Sequence, residues 1–145
     1  NVWTIVNKTS DETIQSDIVL GDDAALLFAV SANTKYEFRM TVASASVNQE
    51  GIRFAVAGPA APTLIMFTYI YQGEGIAVAT DTTNAFGASI GAPASNHDYA
   101  ILTISGILQN GANAGTVSFQ WAQEVTGANN TTVYAGSFLE YRVVA

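Results

Sequence analysis

The sequence predicts an all-β fold, a single antiparallel β-sandwich or jelly roll of about eight to ten strands. Short segments that alternate apolar and polar side chains recur along the chain, and turns rich in Gly, Asn and Pro separate them. No stretch of useful length has the helical period of about 3.6 residues. The 145 residues suit one domain with a substantial core.

An apolar segment at the N-terminus ends at a polar break over residues 7–12. We therefore divide the chain into residues 1–12, an N-terminal arm or first strand, and residues 13–145, the jelly-roll-like sandwich. A terminal arm is free to dock on a neighbouring protein, because no second connection holds it to its own domain. The arm residues expected to contact a neighbour or a capsid are Val2, Trp3, Ile5 and Val6.

The clearest alternation in the sequence covers residues 35–42, after a weaker run at 13–20 and an apolar run at 24–30. One face of the 35–42 strand is expected to enter the core, with Tyr36, Phe38, Met40 and Val42. The other face carries Lys35, Glu37, Arg39 and Thr41. Charges that alternate in sign on a strand are typical of cross-strand ion pairs.

The middle of the chain has a strand at 52–57, which Gly58 and Pro59 end, and an apolar run at 63–71. Because 63–71 is apolar on both faces, it is either covered on both sides or meets another subunit with its outer face. The candidates for a trimer interface on that face are Phe67, Tyr69 and Tyr71. A short strand follows at 76–80, and residues 81–97 are interpreted as a functional or interface loop.

The last third of the chain predicts three strands, at 98–108, 116–123 and 137–144. Trp121 alternates with polar residues and is expected in the core, whereas Trp3 is the better candidate for an intermolecular anchor.

Composition and net charge reduce the number of plausible functions. Hydrophobic residues make up 49% of the chain and charged residues only 12%, which favours an oligomer that covers apolar surface. The net charge of −7 argues against nucleic-acid binding. No apolar run reaches the length of a membrane helix, and the absence of Cys excludes disulfides and Cys-based metal or redox sites.

Catalytic and metal sites find little support. The single histidine, His97, precedes Asp98, but neighbours on a strand point to opposite faces, so Asp98 is poorly placed to orient it. Calcium could use Asp22 with Asp23, or Asp11 with Glu12, but no Asp-x-Asp-x-Asp-Gly pattern is present and solvated turns are the simpler explanation of both pairs. No particular pair of acids is marked as a glycosidase site. We therefore expect no enzymatic activity, no metal and no cofactor.

Segments 111–123 and 135–142 resemble a pattern in tailed-bacteriophage structural proteins, namely the small β-domains of capsid decoration (cement) proteins and tail-fibre heads. The most specific part is the run Gly-Thr-Val-x-x-Gln-Trp-Ala-Gln over residues 115–123. Segments 8–13, 28–39 and 54–59 fit the same pattern, and residues 60–96 do not. The resemblance implies a homotrimeric jelly roll, loosely similar to tumour-necrosis-factor and C1q heads, without catalytic residues.

The resulting expectation is a non-enzymatic virion protein. A trimeric decoration protein on the outer surface of the phage capsid would bridge capsomers and contact the major capsid protein. The first alternative is the receptor-binding head of a tail fibre, with residues 81–97 facing the host. The second is a carbohydrate-active enzyme or lectin-like module, in which sugars would stack on Tyr69, Tyr71, Tyr99 and Tyr134.

Overall fold

The computed structural model describes residues 2–47, 50–75, 77–91 and 97–144, with the backbone alone for residues 97 and 98. These residues form twelve strands: β1 (Thr4–Asn7), β2 (Glu12–Ile14), β3 (Gly21–Val30), β4 (Lys35–Ser46), β5 (Arg53–Ala57), β6 (Leu64–Gly73), β7 (Ala79–Thr83), β8 (Ile90–Gly91), β9 (His97–Gln109), β10 (Gly115–Ala122), β11 (Thr131–Val133) and β12 (Phe138–Val144). Within the described ranges there is no helix of the length and apolar character needed to cross a membrane.

The strands form two antiparallel sheets. In the large sheet the main order is β1-β12-β4-β9-β6-β7, and β11 pairs with both β4 and β2 beside this path. In the small sheet the order is β3-β10-β5-β8. The chain crosses between the sheets repeatedly: β10 completes the small sheet, and β12, the last strand, completes the main path of the large sheet.

The strand pairing is that of a jelly roll. Eight strands matter here, in chain order β1, β3, β4, β5, β8, β9, β10 and β12. The first pairs with the last, the second with the seventh, the third with the sixth and the fourth with the fifth. A long antiparallel hairpin rolled into two sheets has this pairing. The β6–β7 hairpin widens the large sheet beyond β9.

The core lies between the two sheets and follows the predicted alternation of β4. Tyr36, Phe38, Met40 and Val42 are all buried, with at most 5% of their surface exposed. Trp121 of β10 is also buried, as predicted. Across the sheets, the ring of Phe28 stacks on that of Tyr141 with the centroids 4.3 Å apart. The prediction of an all-β antiparallel sandwich is therefore confirmed.

Two details differ from the sequence-based expectation. The structure has more strands than predicted, because β2, β8 and β11 contain only two or three residues each. The interpretation of residues 81–97 as a loop is wrong in part, since 81–83 belong to β7, 90–91 form β8 and residue 97 begins β9. Residues 92–96 lie outside the described residues. Edge strands such as β7 pair through their backbones, so they need no apolar pattern that a sequence would display.

Candidate interaction surface on the large sheet

The outer face of the large sheet carries the most distinctive surface of the described chain. The strand registers align its side chains in rows across β12, β4, β9 and β6. One row runs through Arg142, Glu37, Ile107 and Met66, and the next through Glu140, Arg39, Ser105 and Thr68. Charged residues therefore lie over β12 and β4, and uncharged residues lie over β9 and β6.

The charged half of this face is internally neutralised. Arg142 donates to Glu37 from Nε at 2.8 Å, and Arg39 contacts both Glu37 at 3.3 Å and Glu140 at 3.4 Å. The hydrogen bond from Arg142 is the main cause that lowers the pKa of Glu37, and it outweighs the smaller opposing effect of burial. The cross-strand pairing expected for the 35–42 strand is therefore confirmed.

Trp3 joins this charged cluster from the neighbouring edge of the sheet. The guanidinium carbons of Arg39 and Arg142 lie 4.6 and 4.8 Å from the centre of its ring. Two cations over one indole are a cation–π arrangement. The same contacts hold the start of the chain against its own sheet.

Of the remaining arm residues, Ile5 and Val6 lie on opposite faces of β1 and Val2 precedes it; β1 pairs with β12 with Val6 opposite Leu139. Val6 packs against the core. Ile5 and Val2 stay exposed, at 57% and 87% of their surface. Residues 4–7 thus form an edge strand of their own domain. Val2 and Ile5 are exposed there, whereas Trp3 lies against Arg39 and Arg142.

The uncharged half of the outer face forms an exposed apolar patch. Its five large side chains are each between 39% and 49% exposed: Leu64, Met66, Ile70, Ile101 and Ile107. Thr68, Thr103 and Ser105 fill the positions between them on the same face. We call this set the β6–β9 patch. Apolar side chains clustered on one sheet face mark an interaction surface more clearly than scattered ones do.

The trimer-interface candidates on β6 require a correction. Phe67 and Tyr71 are 1% and 0% exposed and point into the core, and Tyr69 packs edge-on against Phe54 with ring centroids 5.3 Å apart. Burial raises the pKa of both Tyr69 and Tyr71. The assignment of these three residues to the outer face is wrong, because the alternate residues Leu64, Met66 and Ile70 occupy it.

Three shallow depressions mark the same outer face. The first, about 280 Å³, lies over Ser105 between Arg39 and Met66. The second, about 260 Å³, lies between Val144 and Leu64 at one end of the strands. The third, about 190 Å³, lies at the opposite end between Tyr99 and Tyr134. All are open troughs, not enclosed pockets, and this shape suits contact with another surface.

The acidic pairs considered for calcium are engaged elsewhere. Asp22 accepts hydrogen bonds from Ser118 at 2.8 Å and Gln120 at 2.9 Å. Asp23 points the opposite way, into a buried contact with Lys8. Among the residues that the structure describes, no group of three or more acidic or His side chains is arranged to hold a metal ion. The side chain of His97 lies outside the described residues.

Sequence patterns missed the β6–β9 patch because its members are split between two strands. Ile101 and Ile107 alternate with buried Leu102 and Leu108 on β9, so that run is apolar on both faces. The sequence did contain one indication of an exposed face. Thr103 and Ser105 are polar, and they lie on the same face of β9 as Ile101 and Ile107. A strand with this composition has one wet face that still carries large apolar residues.

Comparisons with known proteins find distant similarity to solved structures. No family model and no curated protein matches the chain. Among solved structures, the carbohydrate-binding module TmCBM61 in complex with β-1,4-galactotriose matches with a TM-score of 0.33 and 9% identity, over 94% of this chain and 86% of that one. Structures of infectious bursal disease virus match with TM-scores of 0.26 for the Gt strain and 0.25 for the Gx strain, at 11% and 13% identity.

The two virus matches cover 99% and 97% of this chain but only 36% and 38% of the virus chains. The chain thus spans little more than a third of their length. Similarities this distant carry no argument about function. The jelly-roll assignment rests on the strand pairing described above.

Proposed function

We propose that this chain is a non-enzymatic virion structural protein, a homotrimeric decoration protein on the outer surface of a bacteriophage capsid. In this role it bridges neighbouring capsomers and contacts the major capsid protein. The observation that carries the proposal is the β6–β9 patch, in which five large apolar side chains are exposed on one face of two adjacent strands. The resemblance of segments 111–123 and 135–142 to phage decoration proteins supports a capsid as the place of assembly.

The β6–β9 patch is the surface that we assign to the trimer. Its five large side chains lie on adjacent strands, with Thr68, Thr103 and Ser105 between them and Gln72 and Gln109 at the two ends. None of these polar residues is charged, so another copy can pack against the face. Burying apolar side chains stabilises an interface by about 25 cal/mol per Å² removed from water. A chain with only 12% charged residues has few ways to keep such a face soluble on its own.

The opposite edge of the large sheet is assigned to the capsid. β1 is the terminal strand of its sheet and pairs on one side only, with β12. It presents Val2, Trp3 and Ile5 beside an open backbone edge, to which a neighbouring chain can add. Three such edges on one trimer would contact the shell together and gain avidity over a single weak contact.

Charge supports a position outside the shell. The net charge is −7, and four cations of the chain are committed to carboxylates: Lys8, Arg39, Arg53 and Arg142. A surface of this kind does not attract a phosphate backbone.

Light scattering on the purified chain tests assembly, with a trimer as the expected mass. A monomer at micromolar concentration would contradict the homotrimer. Capsids stripped of this protein are expected to lose resistance to heat and to regain it on re-addition. Stripped capsids that withstand heat as well as complete ones would refute the decoration role.

A receptor-binding head of a tail fibre is the second candidate, and one feature favours it. Tyr99 is 70% exposed and lines the depression that also includes Tyr134 and Gln72. Exposed aromatic rings beside amide groups are suited to sugar rings. Binding on a glycan array that disappears in Tyr99→Ala would support the fibre head, whereas a silent array would argue against it.

A further inference from the structure

Lys8 is buried, with 3% of its surface exposed, although lysine is among the residues least often found in a protein interior. It directly follows β1, and its backbone is fixed by hydrogen bonds with Ser137 and Gly136 at 2.9 Å each. Its side chain points away from the outer face of the large sheet, toward β3. This position places a primary amine between the two sheets.

The amine of Lys8 contacts two carboxyl groups. Its Nζ lies 2.8 Å from Oδ2 of Asp23 and 2.8 Å from Oε2 of Glu12. The side chain of Asp23 is fully buried, and that of Glu12 is 33% exposed. The indole N–H of Trp121 donates to the same Oδ2 of Asp23 at 3.2 Å. The amine is therefore in direct contact with a buried carboxyl and with a second, more accessible carboxyl.

The other oxygen of Asp23 has a different environment. Its Oδ1 accepts backbone N–H groups from Ala25 at 2.9 Å and Leu26 at 3.0 Å. Two backbone donors on one carboxyl oxygen are the arrangement that stabilises an oxyanion during acyl transfer. Oδ1 is thus held as the oxygen that stays on carbon, while Oδ2 faces the amine.

We propose that Lys8 and Asp23 condense to an intramolecular amide cross-link, with Glu12 as the group that transfers protons. This inference is independent of the proposed function. A proton passes from the Lys8 ammonium through Glu12 to Oδ2 of Asp23, which leaves a free amine beside a neutral carboxylic acid. The amine attacks Cγ of Asp23, and the negative charge develops on Oδ1, where the two N–H groups lie.

The reaction balances in atoms and charge without an external reagent. The C–N bond forms, and Glu12 takes a proton from nitrogen and donates it to the hydroxyl oxygen Oδ2. The C–Oδ2 bond then breaks. Oδ2 leaves as water, so one ammonium and one carboxylate become one amide and one water molecule. Glu12 ends in its starting state and acts as a general acid and base.

Burial provides the driving force. Removing two charges from water is costly even when they pair, and a neutral amide removes both charges. Burial alone lowers the pKa of Lys8 and raises that of Asp23, but their hydrogen bonds outweigh it, so the pKa of Lys8 is raised overall and that of Asp23 lowered. The neutral pair is therefore a minor form. The product accumulates because amides hydrolyse slowly in a site that excludes water.

The cross-link joins residues that are 15 positions apart, and it connects the large sheet at β1 to the small sheet at β3. It closes a loop in the unfolded chain and so restricts the unfolded state. The strand that presents Trp3 and Ile5 would then be held by a covalent bond as well as by backbone hydrogen bonds.

Intact-mass measurement of the denatured, purified chain tests the proposal. The expected mass is that of the sequence less one water molecule. Trypsin is expected to leave residues 1–35 as one peptide that carries the loss, because a lysine in an amide is not cleaved. Lys8→Arg keeps a cation for both carboxylates without a reactive amine, and it should show the full mass and cleavage after residue 8.

Glu12→Gln tests the proton-transfer role. It leaves Lys8 and Asp23 in place, and it should slow the appearance of the lighter species by about 100-fold or more. Wild-type protein that retains the full sequence mass after long incubation would show an ion pair only and overturn the proposal. A water loss that persists in Lys8→Arg, or that maps outside residues 1–35, would overturn it as well.

Discussion

Arg142 donates two hydrogen bonds to one carboxylate oxygen of Glu37, from Nε at 2.8 Å and from Nη2 at 2.5 Å. The two residues are directly opposite each other in the β12–β4 register, although 105 positions separate them in the sequence. Charge-assisted hydrogen bonds of this length are among the stronger surface contacts. They lower the pKa of Glu37 below its ordinary value of 4.5.

The lowered pKa predicts an acid-sensitive contribution to stability. Because the folded pKa lies below the unfolded value of 4.5, Glu37 stabilises the fold fully above pH 4.5. That contribution is lost as the pH falls through the lower, folded pKa. We expect Glu37→Gln to lower the free energy of unfolding at pH 7 and to flatten its decrease in acid. Urea unfolding from pH 7 to about pH 2 measures both effects.

Glu74→Gln is the matched control, since Glu74 is an exposed glutamate after the end of β6. It should leave the acid dependence close to that of the wild type. A Glu37→Gln curve that runs parallel to the wild-type curve throughout the acid range would refute the assignment.

Gly106 predicts a steric limit in the middle of β9. A Cβ added there would lie 2.5 Å from Cζ of Phe38 and 2.7 Å from Cβ of Phe67. Both aromatic residues are buried and closely packed, so Gly106→Ala should lower the free energy of unfolding by about 1–3 kcal/mol. Denaturant unfolding of Gly106→Ala measures the loss.

Ser105→Ala provides the comparison, because Ser105 is the neighbour of Gly106 on the exposed outer face. That change should stay within about 0.5 kcal/mol of the wild type. Equal stability of Gly106→Ala and Ser105→Ala would mean that the core around Phe38 and Phe67 has room for a methyl group, and would refute the steric limit.

The sequence predicted the sandwich because most of its strands have one wet face. In β4 the period of two separates Phe38 from Arg39 without ambiguity, and both predictions for that strand are confirmed. In β6 the same reasoning failed, since Met66 and Phe67 are both apolar and the period carries no information. In β6, packing determines which side chains face the core. Phe67 lies opposite Gly106, which leaves space for the phenylalanine ring on the inner face.

The Lys8–Asp23 contact illustrates a second limit. A sequence pattern gives Lys8 and Asp23 as solvated residues in a polar break and a turn. Their burial depends on how β1 and β3, which belong to different sheets, are brought together by the final strand pairings. Contacts between residues on different sheets depend on the strand topology, so they cannot be predicted from the local sequence around either residue.

Ile70→Glu tests the β6–β9 patch as the trimer surface. Ile70 is 49% exposed and is opposite Thr103 and Thr80, so neither of its cross-strand partners is charged. An unpaired charge buried in an interface costs about 3 kcal/mol or more. We therefore expect association to weaken by more than about 100-fold. Sedimentation or light scattering over a concentration series measures the change.

Val19→Glu is the matched control, with Val19 74% exposed in the segment before β3 and away from the patch. It should associate like the wild type. If Ile70→Glu and Val19→Glu both remain trimers, the trimer surface lies elsewhere on the molecule.

Trp3→Ala tests how firmly the N-terminal strand is held. The variant loses the ring that lies 4.6 and 4.8 Å from the guanidinium carbons of Arg39 and Arg142. Each exposed cation–π contact is worth about 0.5–1 kcal/mol, so the free energy of unfolding should fall by about 1–2 kcal/mol. Trp3→Phe keeps an aromatic face and should lose less, whereas Val2→Ala, at a side chain 87% exposed, should change little. Urea unfolding followed by circular dichroism ranks the three variants, and a Trp3→Ala protein as stable as Val2→Ala would show that the two arginines do not anchor the strand.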